Sequence, residues 1–142
     1  RAGHDVAVCF ADLDGFKAVN DDLGHEAGDQ LLVELARRIA GSIRASDTAA
    51  RLGGDEFVLV LTPVAGEEWR AVLDRLMQAV CQPVQLPVSD VPVRVGMSIG
   101  VALSQGRLDA QELLAEADEA MLQAKRSGKH RVQLAPAVQA LS

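Results

Sequence analysis

Two extended apolar runs, Thr48 to Leu52 and Phe57 to Leu61, are joined only by Gly53-Gly54-Asp55-Glu56. So short a link between strand-like segments makes an antiparallel hairpin, with the glycines supplying the positive φ of a tight turn. Val6 to Phe10 is another apolar run that reads as a buried strand, and it ends in Asp12-Leu13-Asp14-Gly15. Helical periodicity fills much of the rest. Phe16 to Leu23 makes a short helix closed by Gly24, and Asp29 is placed to cap a long helix from Gln30 to Ile43. That helix carries Leu31, Leu32, Leu35, Ile39 and Ile43 on one face. Gly66 to Val80 turns Trp69, Leu73, Leu76, Met77 and Val80 inward, and Ala110 to Arg126 is a further helix stopped by Gly128. Strand candidates remain at Val84 to Leu86, Val93 to Leu103 and Arg131 to Leu134. Strands interleaved with long helices predict an α+β fold, a mainly antiparallel central sheet flanked by helices.

Composition bounds the function classes. A chain of 142 residues with 49% hydrophobic but only 3% aromatic content suits one domain with an aliphatic core. A net charge of −6 argues against nucleic-acid binding, which rests on Lys and Arg neutralising phosphates. A nucleotide substrate stays open, because a divalent cation can bridge acidic side chains and phosphates. No apolar run reaches membrane-spanning length, so neither a signal peptide nor membrane contact is expected within this segment. Cys9 and Cys81 stand far apart without a second Cys or a His cluster nearby, which fits a reduced, cytoplasmic setting.

Acidic residues gather where strands end or turn: Asp12 and Asp14 after the first strand, Asp55 and Glu56 at the hairpin. If the hairpin pairs beside that strand, Asp12 and Asp55 converge, and converging carboxylates call for a hard cation between them. Spacing alone favours the plainer reading, in which these residues are surface punctuation. Lys17, Asn20, His25 and Asp29 cluster between the two, interrupted by Gly24 and Gly28. Lys17 can meet a phosphate, and Asn20 with Asp29 offers groups that match a guanine edge. Each also has an ordinary role, Asp29 as a helix cap above all.

The stretch from Phe10 to Asp29 (FADLDGFKAVNDDLGHEAGD) and the stretch from Ala50 to Phe57 (ARLGGDEF) resemble the GGDEF family of diguanylate cyclases. Ser98-Ile-Gly-Val-Ala102 is similar to that family's later strand, and Ala117 to Val132 to its closing helix and strand. The resemblance implies a palm-like fold shared with nucleotidyl cyclases and polymerases. It implies condensation of two GTP into cyclic di-GMP, with pyrophosphate released, across a homodimer of facing domains. By position, it gives the magnesium or manganese site to Asp12, the Leu13 carbonyl and Asp55. Asp55 would also accept the 3′-hydroxyl proton, with Glu56 in support. Asn20, His25 and Asp29 fall on guanine and ribose positions, and Lys17, Lys125 and Lys129 on phosphate positions. Arg44-Ala45-Ser46-Asp47 matches an inhibitory RxxD motif that binds the product.

Lys129 replaces a common Arg, keeping the charge but losing the planar fork, and Leu122 replaces a common Tyr. Nothing here matches the helix and Leu-Thr-Gly-Leu-type segment that usually precede the first strand, so residues 1–142 read as a single GGDEF domain without that segment. The alternative is an inactive GGDEF domain that binds GTP or cyclic di-GMP and regulates a neighbour, such as an EAL phosphodiesterase. The intact acidic set argues against it.

Overall fold

In the computed structural model, which describes residues 5–136, the first apolar run continues through its acidic end. β1 spans Ala7–Asp14. It is followed by α1 (Phe16–Leu23), α2 (His25–Ser42), β2 (Thr48–Gly53), β3 (Glu56–Leu61), α3 (Glu68–Val80), β4 (Gly96–Leu103), α4 (Ala110–Arg126) and β5 (Arg131–Leu134). The strands form one sheet in the order β2-β3-β1-β4-β5. β1 pairs antiparallel with β3 and β4, β2 pairs antiparallel with β3, and β5 runs parallel to β4. The expected α+β architecture holds, with a mixed sheet in which antiparallel pairs predominate. The ends of the 1–142 span, residues 1–4 and 137–142, lie outside the described residues.

Side-chain alternation on β1 builds the layers. Ala7, Cys9, Ala11 and Leu13 pack with Leu31, Leu35 and Ile39 of α2 and Leu73 and Leu76 of α3 in one core. Val8 and Phe10 point the other way and pack with Leu113, Ala117 and Met121 of α4. Helices thus cover both faces of the central strand, and burying each Leu or Ile side chain contributes about 1.5–3 kcal/mol.

Several boundaries differ from the sequence expectation. β1 does not stop at Phe10, because Asp12 and Asp14 have ladder partners in Ser98 and Gly96 of β4. α2 starts at His25 with Gly24 as its N-cap, at φ 94°, so Asp29 lies inside the helix and is not its cap. Gly24 also receives the end of α1, its N–H bonding the Asn20 carbonyl at 2.9 Å, and joins the helices without a loop. α3 begins at Glu68, beyond Gly66 with φ 62°. Val84–Leu86 makes a single bridge, Val84 to Val93, and no strand. Pro83 and Pro87 flank it, and a residue without an N–H cannot extend a ladder. β4 accordingly begins at Gly96, where Asp14 first offers a partner.

Sheet and helix approach each other closely at Gly100. A β-carbon there would overlap the Ala117 carbonyl oxygen and the Met121 nitrogen of α4. Both are backbone atoms and cannot swing aside. Gly41 of α2, by contrast, faces open space. Gly100→Ala should lower stability by about 3 kcal/mol or more, since overpacking typically costs 1–3 kcal/mol and here meets rigid backbone. Gly41→Ala should raise it by about 0.5–1 kcal/mol. Urea midpoints check both, and an unchanged midpoint in Gly100→Ala would show that α4 can lift off the sheet freely.

Candidate active site

The even-numbered side of β1 changes character along its length. Val8 and Phe10 are core, whereas Asp12 and Asp14 reach the Lys125 ammonium near the end of α4, at 3.0 Å and 3.2 Å. The β2–β3 turn brings Asp55 to the same place. Its backbone carbonyl accepts from the Leu13 N–H at 3.1 Å, and Asp12 stands opposite Glu56 in the ladder. Gly54, at φ 52°, supplies the left-handed step of that turn, and Arg51 clamps it by donating to the Gly54 carbonyl at 2.8 Å.

Asp12 is electrostatically uncomfortable there. Burial pushes its carboxyl up to about 6, the neighbouring Asp55 charge adds to this, and the hydrogen bond from Lys125 opposes it. Lys125 responds in the opposite sense: burial pulls its ammonium down, but hydrogen bonds to Asp12 and Asp14 outweigh that and hold it above its ordinary value. Asp12 Oδ2 takes the lysine, while Oδ1 is buried with no hydrogen-bond partner among the described residues. An orphaned carboxylate oxygen beside a second carboxylate fits a hard divalent cation. Among the described residues no three His, Cys, Asp or Glu side chains converge as a metal cage. Such a site suits a cation that keeps much of its own water shell, as magnesium does.

The other predicted residues stand at the α1–α2 junction, on exposed positions of α1 and α2, and just past α4. Asn20 on α1 and His25 on α2 meet across the helix junction, with Asn20 Nδ2 3.1 Å from His25 Nδ1. Gly28 makes room for Asn20, since a β-carbon there would overlap its Oδ1. Asp29, one residue on, is exposed and free of capping duty, and shares an open depression with Leu32, Val33, Ala36 and Arg51. Lys17 is exposed and pairs with Asp21 at 3.1 Å. Lys129 is exposed just past α4, at φ 64°. The acidic pair and Lys125 are thus brought together, and Asn20 and His25 are brought together.

Arg44 and Asp47 form the turn between α2 and β2. The Asp47 side chain is fully buried, and its carboxylate accepts from Arg44 N (2.8 Å), Nε (2.9 Å) and Nη2 (2.9 Å) and from Thr62 N (3.0 Å). Burial would raise this carboxyl, but the Arg44 and backbone hydrogen bonds outweigh it and hold it low. Asp47 thereby ties the turn to the end of β3, while Arg44 keeps part of its guanidinium at the surface. Sequence reasoning gave no role to Arg51, Ser98 or His130. Their signal is that they lie inside the stretches that carry the family resemblance, beside Gly53, Gly100 and Gly128.

Residues 1–131 match the family described as diguanylate cyclase, GGDEF domain. The bifunctional diguanylate cyclase/cyclic di-GMP phosphodiesterase MucR of Pseudomonas aeruginosa is 48% identical over 127 residues, 87% of this chain and 18% of MucR. The solved GGDEF domain of TpbB from the same species gives a TM-score of 0.85 at 40% identity, over 94% of this chain and 78% of that one. The GGDEF domain of DgcB from Caulobacter crescentus, solved in complex with c-di-GMP, gives 0.85 at 26% identity, over 92% and 78%. The chain spans less than a third of the length of the curated relatives it matches. Since the family match covers every element from β1 through α4, the chain belongs to the diguanylate cyclase GGDEF domain family.

Proposed function

We propose that this domain condenses two molecules of GTP into cyclic di-GMP and releases pyrophosphate. The observation that carries the reading is the convergence of Asp12, near the end of β1, and Asp55, in the β2–β3 turn, with one Asp12 oxygen buried beside Lys125 and without a hydrogen-bond partner among the described residues. Asp12, Asp55 and the Leu13 carbonyl would hold magnesium or manganese, which supplies charge stabilisation at the phosphoryl group undergoing transfer. Asp55 takes the proton of the attacking 3′-hydroxyl, and Glu56 supports it. Lys17, Lys125 and Lys129 hold the phosphates. Asn20 and Asp29 read the guanine, and His25 orients Asn20. Each domain holds one GTP, so the 3′-hydroxyl of each attacks the α-phosphate of the other across a facing homodimer. Cys9 and Cys81 are both free thiols, in keeping with a cytoplasmic reaction.

Asp55→Ala and Asp12→Ala should each abolish conversion of GTP in magnesium or manganese, by several orders of magnitude in rate. Chromatography of the nucleotide products decides it, and parent-like cyclic di-GMP from either variant sinks the site. A parent chain that binds GTP but makes no product at any concentration points to the regulatory reading instead.

The strained Asp12 carboxylate also predicts a stability effect in the metal-free chain. A carboxyl raised from 3.8 to about 6 on folding opposes folding once the unfolded chain ionises, and does so fully above the folded value. Asp12→Asn should therefore raise the melting temperature near neutral pH. The gain should shrink as pH falls from about 6 toward about 4. A gain independent of pH would mean that packing, not charge, is responsible.

For feedback by the product, Arg44 is the cleaner probe, because Asp47 is committed to the fold by its bonds to Arg44 and Thr62. Cyclic di-GMP should bind at Arg44, where a guanidinium can stack on guanine and fork to phosphate, and inhibit non-competitively. Arg44→Ala should abolish that binding in calorimetry while synthesis stays intact or rises. Parent-like affinity in Arg44→Ala would leave the Arg44–Asp47 pair a purely structural one.

A further inference from the structure

Asp14 has no part in the chemistry proposed above, yet its carboxylate is among the few buried polar groups of the chain, at 9% exposure. Its contacts tie β4 to the end of α4. Ser98 Oγ, itself fully buried on β4, donates to both oxygens at 2.7 Å and 3.0 Å. Lys125 Nζ donates to Oδ1 at 3.2 Å, and the His130 backbone N–H donates to Oδ2 at 2.9 Å.

The segment it grips has an unusual backbone. α4 closes when Lys129 N bonds the Ala124 carbonyl at 3.0 Å and Gly128 N bonds the Lys125 carbonyl at 3.4 Å, the pattern of a Schellman cap. The left-handed conformation then persists past the glycine, with φ 120° at Gly128, 64° at Lys129 and 46° at His130. Each non-glycine residue in that region costs about 1–2 kcal/mol, so the conformation lasts only where surrounding contacts over-determine it. Asp14 supplies one such contact at His130 N. The Met97 N–H of β4 supplies another by donating to His130 Nδ1 at 3.2 Å.

We infer that Asp14 is a positioning residue for the phosphate-holding cations: it aims Lys125 directly and fixes, through His130, the left-handed segment that carries Lys129. The inference rests on the assignment of Lys125 and Lys129 to the nucleotide phosphates. The aspartate touches no substrate. Anchored by Ser98, it keeps one lysine at the acidic pair and holds the other at a set place just past the helix end. A charge is required, since a neutral amide would turn N–H groups toward donors that now find acceptors.

The test compares the affinity of the chain for GMP and for a GTP analogue with a methylene group between the α- and β-phosphates, by calorimetry with magnesium. The parent should bind the triphosphate more tightly than GMP. Asp14→Asn should cut the triphosphate affinity about tenfold while leaving GMP affinity unchanged, because charge-assisted contacts to the phosphates are lost. In a Lys125→Met/Lys129→Met background, Asp14→Asn should have no further effect on that ratio. A merely structural aspartate would lower both affinities together with the melting temperature, and that result overturns the inference. If Asp14→Asn does not fold, Ser98→Ala must lower the triphosphate-to-GMP ratio severalfold, and an unchanged ratio overturns the inference equally. A parent that binds no guanine nucleotide, or shows no preference for the triphosphate, overturns instead the phosphate assignment on which it rests.

Discussion

Everything in this fold depends on a central strand buried on both faces. β1 has β3 on one edge and β4 on the other, α2 and α3 beneath, and α4 above. A strand in that position has no freedom of register, since a slip of one residue would exchange its two sets of side chains between cores. Its pleat therefore dictates that Asp12 and Asp14 emerge on the α4 side, directly beyond Val8 and Phe10. The acids are held rigidly because they extend the most constrained element of the molecule.

That rigidity carries an electrostatic cost. Asp12 and Asp55 approach each other in a partly buried place, and Lys125 offsets only part of the repulsion. Polar groups held away from their own preferred protonation state are a common mark of functional sites, where local stability is sacrificed to charge placement. Asp14, two residues along the same face, has the opposite character. Its oxygens are matched by a hydroxyl, an ammonium and an amide, so it stiffens what Asp12 leaves strained.

The turn between α2 and β2 follows a third pattern. Asp47 is surrounded by donors from Arg44 and Thr62, and so locks the base of the hairpin whose tip carries Asp55. Arg51 locks the tip itself through the Gly54 carbonyl. Hairpin geometry at the acidic pair is thus secured from both ends by arginines, Arg44 at the base and Arg51 at the tip.

Local pattern was enough to reveal the hairpin, α1, α4, β5 and the inward face of α3, because a turn signal or a side-chain period is written in neighbouring residues. The residue types of the acidic pair were equally legible, and so was the family resemblance they carry. Tertiary structure decided the rest. Asp29 reads as a cap from its neighbours, yet Gly24 takes that place because α1 and α2 must pack at a junction without a loop. β1 runs on through two aspartates because distant partners on β4 satisfy its backbone. Lys125 meets Asp14 across 111 positions of sequence, and Asp47 spends its acceptors on Thr62 as well as on its neighbour Arg44. Burial and hydrogen-bond satisfaction belong to pairs of groups brought together by folding, so no single stretch of the chain displays them.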